Sequence, residues 1–394
     1  MPKFSSRLLT LPEYPLARIP ARKRELLARG VDVIDLGAGD ADLPPNPAAV
    51  AAMRDAVGRA EMSRYGFGLG LPAFREAIVR WMKRRFDLTF DPFTEVVPLI
   101  GSKEGIAHLA LAYLERGDVA IMPEPGYLAY LGGTLLSEAE PYRYALRRDN
   151  GFLVDLAEVP EQTLRRARLL YLNYPGNPTG ATAPREYLQD VVARCRDLDL
   201  LLVYDNAYSE LAFDGYSPPS IFEIEGARDV AIEFHSLSKT YNMTGWRCGW
   251  AVARPEVAGA LSKVKSFVDT GSFLGIQAAG AAALDSWESF VPGNVEIFRQ
   301  RRDAAVAAFG DAGFECATPK ATMYLWVPLP SHIPSEAFAE RLLVEEGVIV
   351  LPGSAFGEGG EGYFRVSFIA TPERIREAAA RAGRVLASFG ALVS

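Results

Sequence analysis

The stretch Ser236-Leu-Ser-Lys-Thr-Tyr-Asn-Met-Thr-Gly-Trp-Arg247 groups residue types that suit one chemistry. Lys239 follows an apolar run over residues 230–235, which predicts a buried strand. Ser236 and Ser238 precede the lysine by three and one residues, and Arg247 follows it by eight. Serine hydroxyls and a guanidinium hold phosphate oxygens, arginine by paired, charge-assisted hydrogen bonds. A lysine amine condenses with an aldehyde to an imine. An aldehyde and a phosphate together point to pyridoxal 5'-phosphate (PLP). On this stretch alone the competing reading is a surface loop with a solvated lysine.

Such a cofactor needs a carboxylate that keeps its pyridine nitrogen protonated, so that the ring can accept carbanion charge. Asp205, at the end of the apolar run 200–204, suits that role; capping the next helix is the other reading. Tyr208 and Asn177 can hydrogen-bond the ring's phenolate oxygen and lower the imine's pKa. Packing would equally explain the tyrosine, and a turn would explain Asn177-Pro-Thr-Gly180. Tyr127, after Pro125-Gly126, can stack on the ring or pack in the core. Ser102 and Lys103 open a predicted helix, where free backbone N–H groups favour phosphate; a solvated lysine is as good a reading of Lys103 alone. Arg365 interrupts the apolar strand pattern of Tyr363-Phe-Arg-Val-Ser367 and needs a partner there. The α-carboxylate of an amino acid accepts its fork; a structural salt bridge is the alternative.

These residues stand at the ends of predicted strands. Apolar runs at 96–100, 119–122, 169–172, 200–204, 230–235 and 248–253 alternate with helical patterns. That order implies an α/β fold with a mainly parallel sheet covered on both faces, and ligands bind beyond the carboxyl ends of such strands. Gly101-Ser-Lys, Tyr127, the Asn177 loop, Asp205 and Lys239 therefore converge on one cleft. Helices are predicted at 46–62, 73–86, 103–114, 294–310 and 372–388, with further strands at 31–36, 323–327, 348–351 and 363–368. The division expected is a large domain over 45–280 and a smaller α+β unit built from 1–44 together with 281–394. Gly37-Ala-Gly-Asp-Ala-Asp42 is a plain turn or a place where backbone meets a ligand. Tyr14, between Pro12 and Pro15, is a packing residue or an arm into a cleft. The glycines of Gly66-Phe-Gly-Leu-Gly70 make no dinucleotide fingerprint, since no strand precedes them and the spacing is wrong.

Composition narrows the partners. The 394 residues are 49% hydrophobic and 23% charged, ordinary for a globular chain. A net charge of −7, with no long basic run, argues against nucleic acid. Cys195, Cys248 and Cys316 are few, odd in number and widely spaced, which suits a reduced cytoplasm. No signal peptide, and no apolar run approaching the ~18 residues of a membrane span, is visible. His108, His235 and His332 stand near no cysteine pair and no glutamate at metal spacing, so no metal site is expected.

Together, Asn177-Pro-Thr-Gly180, Asp205-x-x-Tyr208, Ser236-Leu-Ser-Lys239 and Arg247 resemble, in order and spacing, the class I/II aminotransferases of PLP fold type I, over nearly the whole chain. The resemblance implies a seven-stranded, mainly parallel sheet and a cytoplasmic homodimer with shared sites. It makes Lys239 the imine lysine and proton shuttle and gives Arg365 the α-carboxylate. It carries Tyr65 and Thr270 to the neighbour's site, and places Gly39 by the substrate. Expected substrates are an L-amino acid and a 2-oxo acid, with 2-oxoglutarate as acceptor. Leu11-Pro-Glu-Tyr14, Gly101-Ser-Lys-Glu-Gly-Ile-Ala-His108, residues 233–246 and Gly360-Glu-Gly-Tyr-Phe-Arg365 resemble the LL-diaminopimelate aminotransferase-like subgroup, where Tyr14 and Lys103 would approach substrate. One departure stands out: the subgroup's Gly-Asp-Pro-Asp reads Gly39-Asp-Ala-Asp42. Alanine–glutamate and aspartate aminotransferases, decarboxylases and C–S β-lyases share the fold. A PLP-sensing transcription regulator would need a DNA-binding domain for which the matched region leaves no room.

Overall fold

A computed structural model of the chain describes residues 2–12, 19–67 and 69–390. Its strands, in chain order, are β1 (Ile34–Asp35), β2 (Val96–Leu99), β3 (Val119–Glu124), β4 (Glu140–Ala145), β5 (Ala167–Leu172), β6 (Leu201–Asp205), β7 (Ala231–Ser236), β8 (Gly249–Ala253), β9 (Tyr324–Pro328), β10 (Val348–Ile349), β11 (Leu351–Pro352) and β12 (Tyr363–Ser367). Seven of them form one sheet in the order β2-β8-β7-β6-β5-β3-β4. Only β8 runs antiparallel to its neighbours.

The central strands are apolar on both faces, as parallel strands buried on both sides must be. Leu170, Leu172, Leu202 and Tyr204 enter the core on one face. Leu169, Tyr171, Leu201 and Val203 alternate with them and enter the core on the other. Phe74, Ile78, Trp81 and Met82, at helical spacing on Pro72–Phe86, lie on the first face. Each such buried side chain contributes about 1.5–3 kcal/mol. Pro98 in β2 is tolerated because β2 is an edge strand, paired only with β8.

A third core gathers Ile34 and Leu36 with Phe298, Phe309, Val327, Phe364, Val366 and Ile375. Around it β11-β12-β9 form an antiparallel sheet, and β1 pairs with β10.

Several boundaries differ from the sequence expectation. The run 348–351 is two strands: β10 pairs with β1, and two residues later β11 pairs with Arg365 and Phe364 of β12. β4 escapes a search for apolar runs because it is the other edge strand and half of its side chains are exposed. The expected strand 31–36 shrinks to β1. The helix expected over 46–62 ends at Val57, and a short 3₁₀ turn, Ala60–Ser63, follows. The helix expected from 294 starts at Trp287 and carries Pro292 inside it. That proline removes one backbone donor, while the buried Asn294 beyond it ties the helix to the Lys239 turn by donating to the Thr240 carbonyl at 3.0 Å.

Candidate active site

The carboxyl ends of β2, β3, β5, β6 and β7 point to one edge of the large sheet. β8 runs the other way, so its beginning, preceded by Arg247, reaches the same edge. The loops leaving this edge enclose a cavity of about 230 Å³. Gly39, Ser102, Lys103, Tyr127, Asn177, Asp205, Tyr208, Ser236, Ser238, Lys239, Arg247 and Arg365 all line it. Tyr65 and Thr270 do not. Tyr65 is 72% exposed and packs against Phe67 rather than in this cavity. Tyr14 lies outside the described residues. Thr270 is half-buried and also stands away from the cavity lining.

One end of the cavity is built to hold an anion. Ser102 starts the helix Ser102–Tyr113, whose first turn receives no side-chain cap from Gly101. Its free N–H groups point outward. Gly101 has φ 73°, and a side chain there would run into the Arg247 guanidinium, so glycine lets the arginine close over the turn. Arg247 itself sits in the left-handed region at φ 56° and donates to the Thr244 carbonyl at 2.9 Å. Ser236 accepts from the Ser238 backbone N–H at 3.1 Å, which fixes the turn carrying Lys239.

At the centre, Asp205 is 4% exposed. Its Oδ2 accepts from the Tyr130 hydroxyl at 2.8 Å, and its Oδ1 is buried with no hydrogen-bond partner among the described residues. Burial pushes this carboxyl up to about 6, with the Tyr130 hydroxyl pulling the other way. The Asn173 amide donates to the Asp205 carbonyl at 2.7 Å. Lys239 opens onto the cavity and donates to the Gly39 carbonyl. Burial holds its amine below the ordinary lysine value, which raises the share of the nucleophilic neutral form.

Opposite the anion end, Arg365 donates to Asn177 Oδ1 at 2.8 Å and to the Gly37 carbonyl at 2.7 Å. Its guanidinium lies 4.1 Å from the centre of the Tyr324 ring. The Tyr324 and Tyr208 hydroxyls are 3.1 Å apart. Burial opposes ionisation of Tyr324, but Arg365 and Lys239 outweigh it and bring the phenol below its ordinary value. Tyr208 moves the other way, mainly through burial.

Sequence reasoning missed Tyr324, Asn173 and Thr244. Asn173 opens the Asn177 loop, so its position at the end of β5 was a usable signal. Tyr324 begins an ordinary buried strand, and nothing in its neighbourhood separates it from a core aromatic. The expectation that no histidine has a glutamate at metal spacing is also corrected. Glu104 and His108 stand one helical turn apart, and with Asp269 they form a cluster of metal-ligand type. A lysine ammonium supplies the positive charge there: Lys265 lies 2.7 Å from Glu104 and 3.1 Å from Asp269.

The donor set fits PLP. The unpartnered Asp205 Oδ1 matches a protonated ring nitrogen, the serines and Arg247 match a phosphate, and the Lys239 amine matches an aldehyde.

Comparison with known proteins follows the same line. The model of the family "Aminotransferase class I and II" matches residues 31–381. The LL-diaminopimelate aminotransferase of Desulforudis audaxviator is 45% identical over 377 residues, covering 96% of each chain. The solved apo-BacF of Bacillus subtilis superposes with a TM-score of 0.94 at 34% identity, covering 98% of each chain. A Thermus thermophilus aspartate aminotransferase mutant does so with a TM-score of 0.91 at 29% identity, covering 98% of this chain and 100% of the other.

Proposed function

This chain belongs to the aminotransferase class I and II family and is a PLP-dependent transaminase of fold type I, and from that premise we propose that its amino donor is a diamino dicarboxylic acid of the LL-diaminopimelate type and its acceptor 2-oxoglutarate. The observation that carries the site assignment is the cavity in which Lys239, the unpartnered oxygen of Asp205 and the Arg365 fork face one space. The donor class rests on relatives such as the 45%-identical LL-diaminopimelate aminotransferase.

When bound, PLP supplies an aldehyde for the substrate amine and a ring that accepts the electron pair left at the substrate's Cα. The chain's residues do the rest. Ser102, Ser236, Ser238 and Arg247 hold the phosphate, with Lys103 at the helix start beside them. Asp205 holds a proton on the ring nitrogen. Tyr127 would pack on the ring, and Tyr208 and Asn177 would hydrogen-bond its phenolate oxygen. Lys239 Nζ would be the amine that holds the aldehyde in the resting enzyme. Once displaced, it carries the proton from the substrate's Cα, a task its lowered basicity favours near neutral pH. Arg365 binds the α-carboxylate, and Gly39 contributes backbone beside the substrate. Lys103 would approach its far end.

The exposed Tyr65 and Phe67 fit a homodimer in which Tyr65 and Thr270 complete the neighbour's site. No described helix is long and apolar enough to cross a membrane. The three free cysteines suit a reducing, cytoplasmic setting. The large unit spans 45–280, and the small one joins 1–44 to 281–394.

A second reading has one specific observation behind it. The Ala41 N–H donates to Thr244 Oγ1 at 3.4 Å, a bond the subgroup's proline could not make. It ties the 39–42 turn to Thr244 on the cavity lining, and on this reading the donor is aspartate or alanine.

Single-turnover absorbance of the PLP-loaded protein against LL-diaminopimelate, alanine, aspartate, glutamate and an aromatic amino acid decides between them. A spectral change with release of the matching 2-oxo acid names the donor. Release of pyruvate with ammonia, or of CO2, would replace transamination by a lyase or decarboxylase reaction.

A further inference from the structure

The carboxylate of Asp205 is held by a residue to which neither the sequence pattern nor the proposed mechanism gives a role. Tyr130 lies on the helix Leu128–Leu136 and is 1% exposed. Its ring stacks on Tyr171 of β5 at 4.7 Å between centres and meets Tyr127 edge-on at 5.7 Å. These contacts leave the ring one orientation. Thr134 on the next turn donates to the Tyr130 carbonyl at 2.8 Å and holds the helix there. The hydroxyl ends 2.8 Å from Asp205 Oδ2. A phenol so buried keeps its proton and donates it in a hydrogen bond to that carboxylate oxygen.

The consequence for Asp205 follows from its two oxygens. One is taken by Tyr130, and the other is buried, without a partner and on a residue that lines the cavity. A carboxylate free to rotate about its last bond could turn either oxygen to the cavity or collapse onto a neighbour. With Oδ2 pinned, only Oδ1 is left for a ligand. We propose that Tyr130 is a positioning residue for the established reaction: its hydroxyl pins one oxygen of Asp205 and aims the second oxygen at the ring nitrogen of the cofactor. This inference rests on the reading of Asp205 as the ring-nitrogen partner. The same side chain touches Tyr127, expected along the ring, so one residue sets two of the groups that meet the cofactor ring.

The groups facing Asp205 are few. Tyr130 comes from its helix, His235 from β7, and the Ala207 backbone N–H and Tyr208 from the loop after β6; Lys239 and Arg365 share the cavity. The sign of the pH effect is fixed by burial. The folded Asp205 carboxyl sits at about 6, above its ordinary value of 3.8. Its contribution to stability is therefore complete below the ordinary value and is lost as pH rises through about 6. Removing the Tyr130 hydroxyl raises the folded value further, so the loss becomes larger and extends to higher pH.

The test uses Tyr130→Phe, Asp205→Asn and the double variant. In the apoprotein, the thermal midpoint of Tyr130→Phe relative to the unaltered protein is expected to fall further behind as pH rises from 5 to 8.5. In the Asp205→Asn background the same substitution is expected to cause a pH-independent change. In the loaded protein, Tyr130→Phe is expected to weaken PLP binding about tenfold, measured by equilibrium titration, and to add nothing once Asp205→Asn is present. A deficit equal at every pH and in both backgrounds would make Tyr130 a packing residue and overturn the proposal. Asp205→Asn with unchanged PLP affinity and unchanged turnover would instead overturn the assignment of Asp205 itself.

Discussion

Two lysines beside the large sheet, Lys239 half-buried and Lys265 fully buried, meet opposite fates. Lys239 reaches the cavity, touches a backbone carbonyl and is held below the ordinary lysine value by burial. Lys265, 1% exposed, sits between two carboxylates, with its Nζ 2.7 Å from Glu104 and 3.1 Å from both oxygens of Asp269. Burial alone would raise Glu104, but His108 and Lys265 outweigh it and bring its carboxyl down to about 2. Glu104 also accepts from the Ile100 N–H at 3.0 Å, and Asp269 from the Gly271 N–H at 2.6 Å. The cluster therefore clasps the phosphate turn at 100–103 to the loop at 269–271. Burial with a carboxylate partner makes a lysine a fastener; burial without one makes it a nucleophile.

The sharpest way to break this contrast is to remove each amine. Lys239→Ala is expected to lower turnover by about 10⁴-fold and to shift the thermal midpoint little. Lys265→Met is expected to do the reverse, costing about 3 kcal/mol of stability in denaturant titration because two half-buried carboxylates lose their partner. A Lys265→Met protein as stable as the original would end the comparison. Neutralising the whole cluster with Lys265→Met, Glu104→Gln and Asp269→Asn is expected to recover most of that loss.

Arg365→Ala is expected to raise KM for the amino acid and the 2-oxo acid alike by about 100-fold, read from steady-state kinetics. An effect on one donor only would make Arg365 a reader of side chains. The two regions should also separate by pH. Glu104 is depressed, so its contribution is complete above its ordinary 4.5 and is lost as pH falls toward about 2. Asp205, raised to about 6, loses its contribution as pH climbs. Glu104→Gln should flatten the acid side of the stability profile, and Asp205→Asn the neutral side; thermal scans across pH check both. The smallest effect is expected from Tyr324→Phe, about 1 kcal/mol at most in stability, with a measurable shift in the pH profile of turnover because the phenol faces both Lys239 and Arg365.

Most of the cavity was legible because its residues sit at the ends of strands with strong apolar signals. Asp205 ends β6, Ser236 ends β7, and Asn177 follows β5, and chain order alone brings such ends to one edge. What escaped had no such marker. Tyr324 and Tyr130 read as core aromatics, because burial and function leave the same apolar trace in a sequence. The edge strand β4 is half solvent-facing and lacked an apolar run. The break between β10 and β11 falls inside one apolar stretch.

The sequence by itself determined the alternation of strands and helices, the inventory of groups at the strand ends, and the phosphate-and-amine chemistry around Lys239. These depend on local order and on side-chain type. The tertiary structure decided which lysine is free and which is clasped, which oxygen of Asp205 is spent on Tyr130, and that Tyr65 stands outside this chain's own cavity. Those outcomes depend on partners far apart along the chain, 161 residues in the case of Glu104 and Lys265, and on burial, which only packing sets.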